Sequence, residues 1–261
     1  MPTAASTSLE AQTLQRLRRP PGTLDTLRDR VLVGLVYSRA WAALEALVCR
    51  GSKAPLRPFL GVGDVPGLDS LRPNFEAIQR EALAVMATRE VPSFAELEPG
   101  QARIGGDRNW KVFALHAFGP VESNLARCPE TARVLASIPG VVSASFSIMR
   151  GPKRVPVHRG IFRGLIRVHL GLVLPPGDGP CSITVGGETR SWAEGELLVF
   201  DDTYPHGVEQ GRVGERVILL IDIERPIRAP YRWLNRAMIR AGGRSKFARQ
   251  IRDRVRRGRR A

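Results

Sequence analysis

The sequence predicts an α+β fold: a jelly-roll β-sandwich or barrel, fronted by helices from the first half of the chain and followed by a basic helical tail. Three observations carry this. Apolar residues recur with the helical period up to about Ile138, short alternating runs broken by Gly, Pro and Asp follow from Val141, and the helical period returns after Pro226. Five short strands with no helix between them bury their apolar faces by packing sheet against sheet. At 261 residues, 43% of them hydrophobic, the chain can build one large domain or two small ones with a real core, which excludes disorder along its whole length.

Residues 1–22 read as a flexible leader ending in Pro20-Pro21-Gly22. They lack the apolar stretch and small-residue cleavage site of a secretory signal. A helix is expected from a Thr23 cap to about Val48, within a 23–70 segment of helix and loop. Its most apolar stretch, Val31 to Val48, is interrupted by Arg39 and Glu45, which makes it amphipathic rather than membrane-spanning. Gly61-x-Gly63-x-x-x-Gly67 lacks the spacing of a dinucleotide fingerprint and reads as a plain loop. The main domain is expected over 71–228. Leu71 to Ala87 places Phe75, Ile78, Ala82 and Val85 on one helical face, and Thr131 to Ile138 forms a helix entered near Cys128-Pro129 and stopped by Pro139-Gly140. The strands are VVSASFSIM, GLIRVHLGLVL, CSITVG, ELLVFDD and RVILLIDI, and 229–261 is a basic amphipathic tail.

The net charge of +15 is unevenly spread. Arg225 to Ala261 holds fourteen Lys and Arg against one acid, Asp253, so +13 lies in the tail and the first 224 residues carry only +2. Cys49, Cys128 and Cys181 are odd in number and far apart, which argues against a disulfide framework or a cysteine zinc site and fits a reducing cytosol.

Strict alternation puts Ile166, Val168, Leu170 and Leu172 on one face of their strand, with Arg167, His169 and Gly171 on the other. The same rule sets Arg216 with Ile218 and Leu220, opposite Val217, Leu219 and Ile221. One such Arg fits an exterior face equally well. Two, with His169 beside one of them, favour a polar interior that receives an anionic ligand, because guanidinium binds carboxylates in a two-pronged way. Of four histidines, His158 follows a Pro-containing turn before one strand and His206 follows FDDTYP after another. Two imidazoles brought by strand ends to one barrel mouth would suit a borderline metal such as Fe(II). No Ser/His/Asp pattern, G-x-S-x-G elbow or P-loop competes.

The ordered motifs FSIMRG, VHRG, RVHLGLVLP, VGGET, EGELLVFDDTYPH and ILLIDI resemble the catalytic domain of the aspartyl/asparaginyl β-hydroxylase family over about residues 72–226. The resemblance implies a cupin-like double-stranded β-helix that uses Fe(II), 2-oxoglutarate and O2 to hydroxylate an unactivated C–H bond. It implies His158 and His206 as iron ligands. The wider class has a carboxylate two residues after the first His; here Gly160 stands there, as is typical of the family, where water takes the position. Asp201-Asp202 is expected to cap its turn or orient neighbouring groups. Arg216 maps onto the Arg that grips the distal carboxylate of 2-oxoglutarate, with Ser147 assisting. Arg167 and His169 match an RxH pair for cosubstrate or substrate acid, and Trp110 matches a pocket tryptophan that a plain core role would equally explain. Arg150-Gly151 stands where relatives have a turn with Pro-Gly, a departure that leaves the local turn open.

In the tail, Arg225, Arg228, Arg232, Arg236 and Arg240 form a basic stripe in a helix, beside Tyr231, Leu234 and Met238, with Trp233 next to them. Such a helix can lie on an anionic membrane, or dock on the body with a solvated basic end. No nucleic-acid module is present. The expected protein is a cytoplasmic hydroxylase, peripheral on the inner face of the membrane, with a lipid acyl chain slightly ahead of a peptidyl Asp or Asn as substrate. A non-catalytic cupin-like protein bound to an anionic surface is the reading from another class.

Overall fold

The computed structural model describes residues 39–88, 91–97, 108–245, 248–249 and 252–254. The expected leader, the start of the first helix and the end of the basic tail lie outside these residues.

The helices come first. α1 (Arg39–Cys49) is the described part of the expected first helix, and α2 (Phe75–Met86) follows three short 3-10 turns. α3 (Phe94–Leu97) and α4 (Glu122–Leu125) are single turns, and α5 (Pro129–Ser137) starts at Pro129, whose missing N–H costs a helix nothing in its first turn. Cys128 supplies no side-chain cap to α5. Glu81 on α2 does so instead: its carboxylate accepts hydrogen bonds from the Glu130 and Thr131 amides at 2.8 Å each and from the Thr131 hydroxyl. Those amides have no partner within the helix and lie at its positive end. Glu81→Ala should therefore cost about 1–2 kcal/mol, read from the midpoint of urea unfolding; an unchanged midpoint would refute the capping role.

The strands are β1 (Phe59–Leu60), β2 (Trp110–Ala117), β3 (Val141–His158), β4 (Leu165–Val173), β5 (Cys181–Val185), β6 (Glu188–Ser191), β7 (Leu197–Phe200) and β8 (His206–Glu224). All pairings between them are antiparallel, in the order β1-β7-β4-β8-β3-β2, with β5 joining β8 to β6. β8 keeps β3 along one edge for its whole length. Its other edge carries β5 over residues 206–210 and β4 over residues 217–224. Two long strands are thus shared by both layers of a jelly-roll, double-stranded β-helix core.

Alternation divides these strands as the sequence indicates. Ile166, Val168, Leu170 and Leu172 of β4 and Val217, Leu219, Ile221 and Ile223 of β8 pack against Ile78, Ala82 and Val85 of α2 and Val134 and Leu135 of α5. The opposite faces meet in a second cluster holding Phe59, Met149, Ile183, Val185, Trp192, Phe200 and Ile218. Burying about 25 cal/mol for each Å² of apolar surface makes these two clusters the main stabilising term.

Several elements differ from their sequence expectation. β3 does not stop at Met149 or turn at Arg150-Gly151: it runs on to His158, which closes the strand. β8 likewise begins at His206, well before Arg216. β2 was not expected, and neither was β6, whose four residues are all exposed. Gly186 and Gly187, both at positive φ (55° and 88°), make the tight turn between β5 and β6, a conformation open to glycine. The segment before residue 71 also adds β1 to the edge of the sheet.

The tail docks on the body. α6 (Tyr231–Gly243) buries Asn235, whose amide donates to the Gly164 carbonyl at 3.1 Å. Tyr231 stands against Gly51, where an added Cβ would lie 2.7 Å from its ring. Beyond the helix, Ala248 is fully buried, and Arg252 and Arg254 donate to the carbonyls of Ala117 and Leu97. Arg225 leaves the expected basic stripe: it is fully buried, donating to the Arg163 carbonyl and to Asp201.

Candidate metal and cosubstrate site

β3 and β8 end side by side, and their register pairs His158 with His206. The two rings lie 4.1 Å apart between centroids, inclined at 53°. Each ring is fixed by the same local device. His158 Nδ1 lies 2.9 Å from the Pro156 carbonyl and His206 Nδ1 lies 3.0 Å from the Tyr204 carbonyl. A carbonyl only accepts, so Nδ1–H donates in both rings, and Nε2 keeps its lone pair as a metal ligand requires. Burial holds the protonated form down: His158 titrates below its usual range and His206 is lowered to about 3, first by desolvation and then by the neighbouring His158. Both imidazoles are neutral at pH 7, the state that binds a metal.

Position 160 holds no side chain because another one fills its place. A Cβ on Gly160 would lie 2.3–2.4 Å from the carboxylate atoms of Asp202. Asp202 sits four residues before His206, and burial raises its carboxyl to about 6 although Arg167 opposes this. The Gly160 amide donates to the Asp202 carbonyl at 2.7 Å, which locks the two segments together. Asp201 does cap its turn: it accepts from the Thr203 amide at 3.1 Å and from the Thr203 hydroxyl, while holding Arg225 in a fully buried ion pair.

Arg167 lies between acids. Its Nε and Nη2 donate to the two carboxylate oxygens of Asp222 at 2.8 and 3.1 Å, and Nη2 stands 3.2 Å from Asp202. Arg216 has the opposite surroundings. It is 2% exposed and stacks on the Trp192 ring at 4.3 Å, and its Nε and Nη1 have no hydrogen-bond partner. Desolvation lowers its pKa to about 10, so it stays charged at neutral pH. His169 faces the same Trp192, whose indole N–H donates to His169 Nδ1 at 3.3 Å. The neutral His169 proton is therefore on Nε2, which also lacks a partner. Three N–H donors, one side chain of them charged, are left in a water-excluding interior. An unmade bond to a buried charge is expensive, and a carboxylate would satisfy the set. Ser147 and Trp110 lie together on the adjoining strands: the Trp110 indole donates to the Ser147 hydroxyl at 2.9 Å, and Phe94 stacks on Trp110 at 4.1 Å.

A family model described as aspartyl/asparaginyl beta-hydroxylase matches residues 72–226. The chain belongs to the aspartyl/asparaginyl β-hydroxylase family. It is 33% identical over 202 residues to an ornithine lipid ester-linked acyl 2-hydroxylase of Rhizobium tropici, covering 77% of this chain and 71% of that one. It is 34% identical over 167 residues to the human aspartyl/asparaginyl beta-hydroxylase, but spans only 21% of that protein against 62% of itself. A solved prolyl hydroxylase from Trichoplax adhaerens overlays with a TM-score of 0.44 at 13% identity, covering 78% of this chain and 98% of that one.

In this aspartyl/asparaginyl β-hydroxylase family member, the sequence motifs fall into two neighbouring groups, the histidine pair at the strand ends and the Arg216, His169 and Trp192 set deeper inside. Sequence reasoning gave no role to Trp192, which lies between the VGGET and EGELLVFDDTYPH motifs and whose ring is the surface on which both Arg216 and His169 rest. It also missed Gln210, fully buried with both amide atoms unpartnered, and Asp222, the acid that holds Arg167. The expected first helix, α1, also had no part in the site as read from the sequence. The Trp41 indole donates to the Ile161 carbonyl at 3.0 Å, and the buried Glu45 accepts from the Arg163 amide at 2.8 Å, so α1 straps the loop that follows His158.

Proposed function

We propose that this protein is an Fe(II)- and 2-oxoglutarate-dependent hydroxylase whose preferred substrate is the acyl chain of a membrane lipid. The observation that carries the cosubstrate is the set of unpartnered buried donors on Arg216 and His169, beside two neutral imidazoles whose rings lie 4.1 Å apart. His158 and His206 would hold the iron. Arg216 would bind the distal carboxylate of 2-oxoglutarate, with Ser147 beside it, and His169 Nε2–H would donate to a second oxygen. Bound together, iron and 2-oxoglutarate supply oxidative chemistry, in which O2 gives one atom to succinate and the other to a C–H bond of the substrate. The chain itself orients the cosubstrate, keeps both imidazoles unprotonated and excludes water from the Arg216 pocket. Asp202 places a carboxylate where a side chain of residue 160 would otherwise begin.

The acyl-chain preference rests on the rim. Val157 and Ile161 flank His158 and are 46% and 60% exposed, and Leu56, held by the Tyr204 hydroxyl on its carbonyl, is 47% exposed. Exposed aliphatic groups collected at the strand ends that carry the histidines suit an apolar substrate. The acyl 2-hydroxylase relative, which aligns along most of both chains, supports the same reading. Hydroxylation of a peptidyl Asp would call for a cation to hold the substrate carboxylate, and Arg167 is engaged by Asp222 and Asp202.

Anaerobic titration with Fe(II) and 2-oxoglutarate should produce a charge-transfer absorption that is lost in His158→Ala and His206→Ala. With O2, lipid extracts should gain one oxygen in an acyl chain as succinate forms. An absent band together with no oxygen-dependent succinate would rule out the oxygenase and leave the non-catalytic reading. A gain of one oxygen on Asp or Asn peptides, with lipids unchanged, would replace the substrate.

A further inference from the structure

The outward face of α6 is chemically unlike the rest of the surface. Arg232, Arg236, Arg240 and Arg244 recur every four residues and all are exposed, so they form one line along the helix. Trp233 lies on the same side in the first turn and is 64% exposed, and Ala237 and Ala241 continue its row. The other side of the helix is already used. Tyr231, Leu234, Met238 and Ile239 are half-buried and Asn235 is bonded to Gly164. The apolar stripe thus holds the helix on the body, and the free face is basic with one large aromatic side chain.

We propose that this face docks the protein on an anionic phospholipid bilayer, with the four arginines on headgroup phosphates and Trp233 inserted at the interface. Three observations favour lipid. Among the described residues, Glu224 on Arg236 is the one acidic partner along the line, so the positive field of the face is nearly uncompensated. The sequence repeats the sign: from Arg228 to Ala261 there are thirteen basic residues, those of the line included, against Asp253 alone. An indole beside a row of arginines matches the two parts of a bilayer interface, an apolar edge beneath charged headgroups, and tryptophan concentrates there.

Docking at α6 also bears on the site. Asn235 holds Gly164, and the same loop carries Ile161 three residues after His158. α1 grips that loop from Trp41 and Glu45. One loop therefore connects α6 with the aliphatic rim of the histidine pair. The docking surface itself does not depend on what the site hydroxylates.

The test is co-sedimentation of the full chain with vesicles of phosphatidylglycerol and phosphatidylcholine, compared with phosphatidylcholine alone, at physiological salt. Wild type should bind the anionic vesicles at least tenfold more tightly. The triple variant Arg232→Glu, Arg240→Glu, Arg244→Glu should lose that preference. Trp233→Ala should weaken binding several-fold, and the Trp233 emission should shift to the blue on anionic vesicles alone. Each variant should keep the Fe(II) and 2-oxoglutarate absorption in vesicle-free solution, which separates a failed docking surface from a failed hydroxylase. Equal binding to both vesicle types, an unchanged preference in the triple variant, or duplex nucleic acid outcompeting vesicles at equal phosphate concentration would overturn the proposal.

Discussion

Arg216→Met is expected to make the ligand-free protein more stable while removing its response to 2-oxoglutarate. The guanidinium is buried and charged, and two of its three nitrogens lack partners. Replacing a buried charge by an apolar side chain of similar volume is stabilising by about 1–4 kcal/mol when the charge is poorly compensated. The Met side chain can rest on Trp192 as the guanidinium does. In a domain of this size a gain of 2 kcal/mol raises the melting temperature by roughly 4–8 °C. In wild type, 2-oxoglutarate at 100 times its Kd should stabilise the iron-loaded protein by about 2.7 kcal/mol, and in the variant by nothing measurable. Loss of a charge-assisted carboxylate pair should raise the KM for 2-oxoglutarate on the order of 100-fold. A residue that merely supports the fold would do the opposite in the first measurement: its removal would lower the ligand-free melting temperature. That result, or an unchanged KM, would end the assignment.

Gly160→Ala is expected to be among the most damaging single methyl additions in the chain. The new Cβ would stand 2.3–2.4 Å from the Asp202 carboxylate, far inside van der Waals contact. Asp202 cannot swing away freely, because it is buried, bonded to Arg167 and tied through its carbonyl to the Gly160 amide. Overpacking of this kind costs about 3 kcal/mol, visible as a lower urea midpoint, and displacing the carboxylate should also weaken Fe(II) binding. The double variant Gly160→Ala, Asp202→Gly should recover most of the stability but not the iron affinity, since the steric conflict is gone and the carboxylate with it. Singles and double that simply add would show that the two positions do not compete for one volume. Gly160→Asp, which places a carboxylate at the position usual in the wider oxygenase class, should fail for the same steric reason.

Much of this architecture was legible because strand alternation is a strong physical signal where both faces of a sheet are buried. Ile166, Val168, Leu170 and Leu172 could face only one way, and Arg167 and His169 had to face the other. β6 was illegible because its four residues are exposed and polar, so only the Gly186-Gly187 turn hinted at it. β2 carries enough apolar residues to have been read, and its omission reflects an expectation that the first half of the chain is helical. The histidine pair was legible from its place at strand ends, whereas its adjacency depended on β3 and β8 being longer than their apolar cores. The Gly160 and Asp202 contact joins two segments through space and leaves no local pattern. Arg225 was misplaced for a similar reason: helical spacing aligned it with Arg228 and Arg232, but Pro226 and Pro230 delay the helix to Tyr231, and the fold turns Arg225 inward onto Asp201.

If His158 and His206 hold iron as proposed, their pairing makes the metal site depend on the hydrogen-bond register between two strands. The register of β3 against β8 shifts at irregularities after Gly151 and after Val155 before it delivers His158. Each irregularity turns the strand and changes which side chains face inward. Deleting one residue between Lys153 and Val157 would leave both histidines in the sequence and every strand in the sheet, yet aim His158 at solvent. Such a protein should fold and fail to bind Fe(II), so the proposed metal site would be encoded by the spacing between residues as much as by the residues themselves.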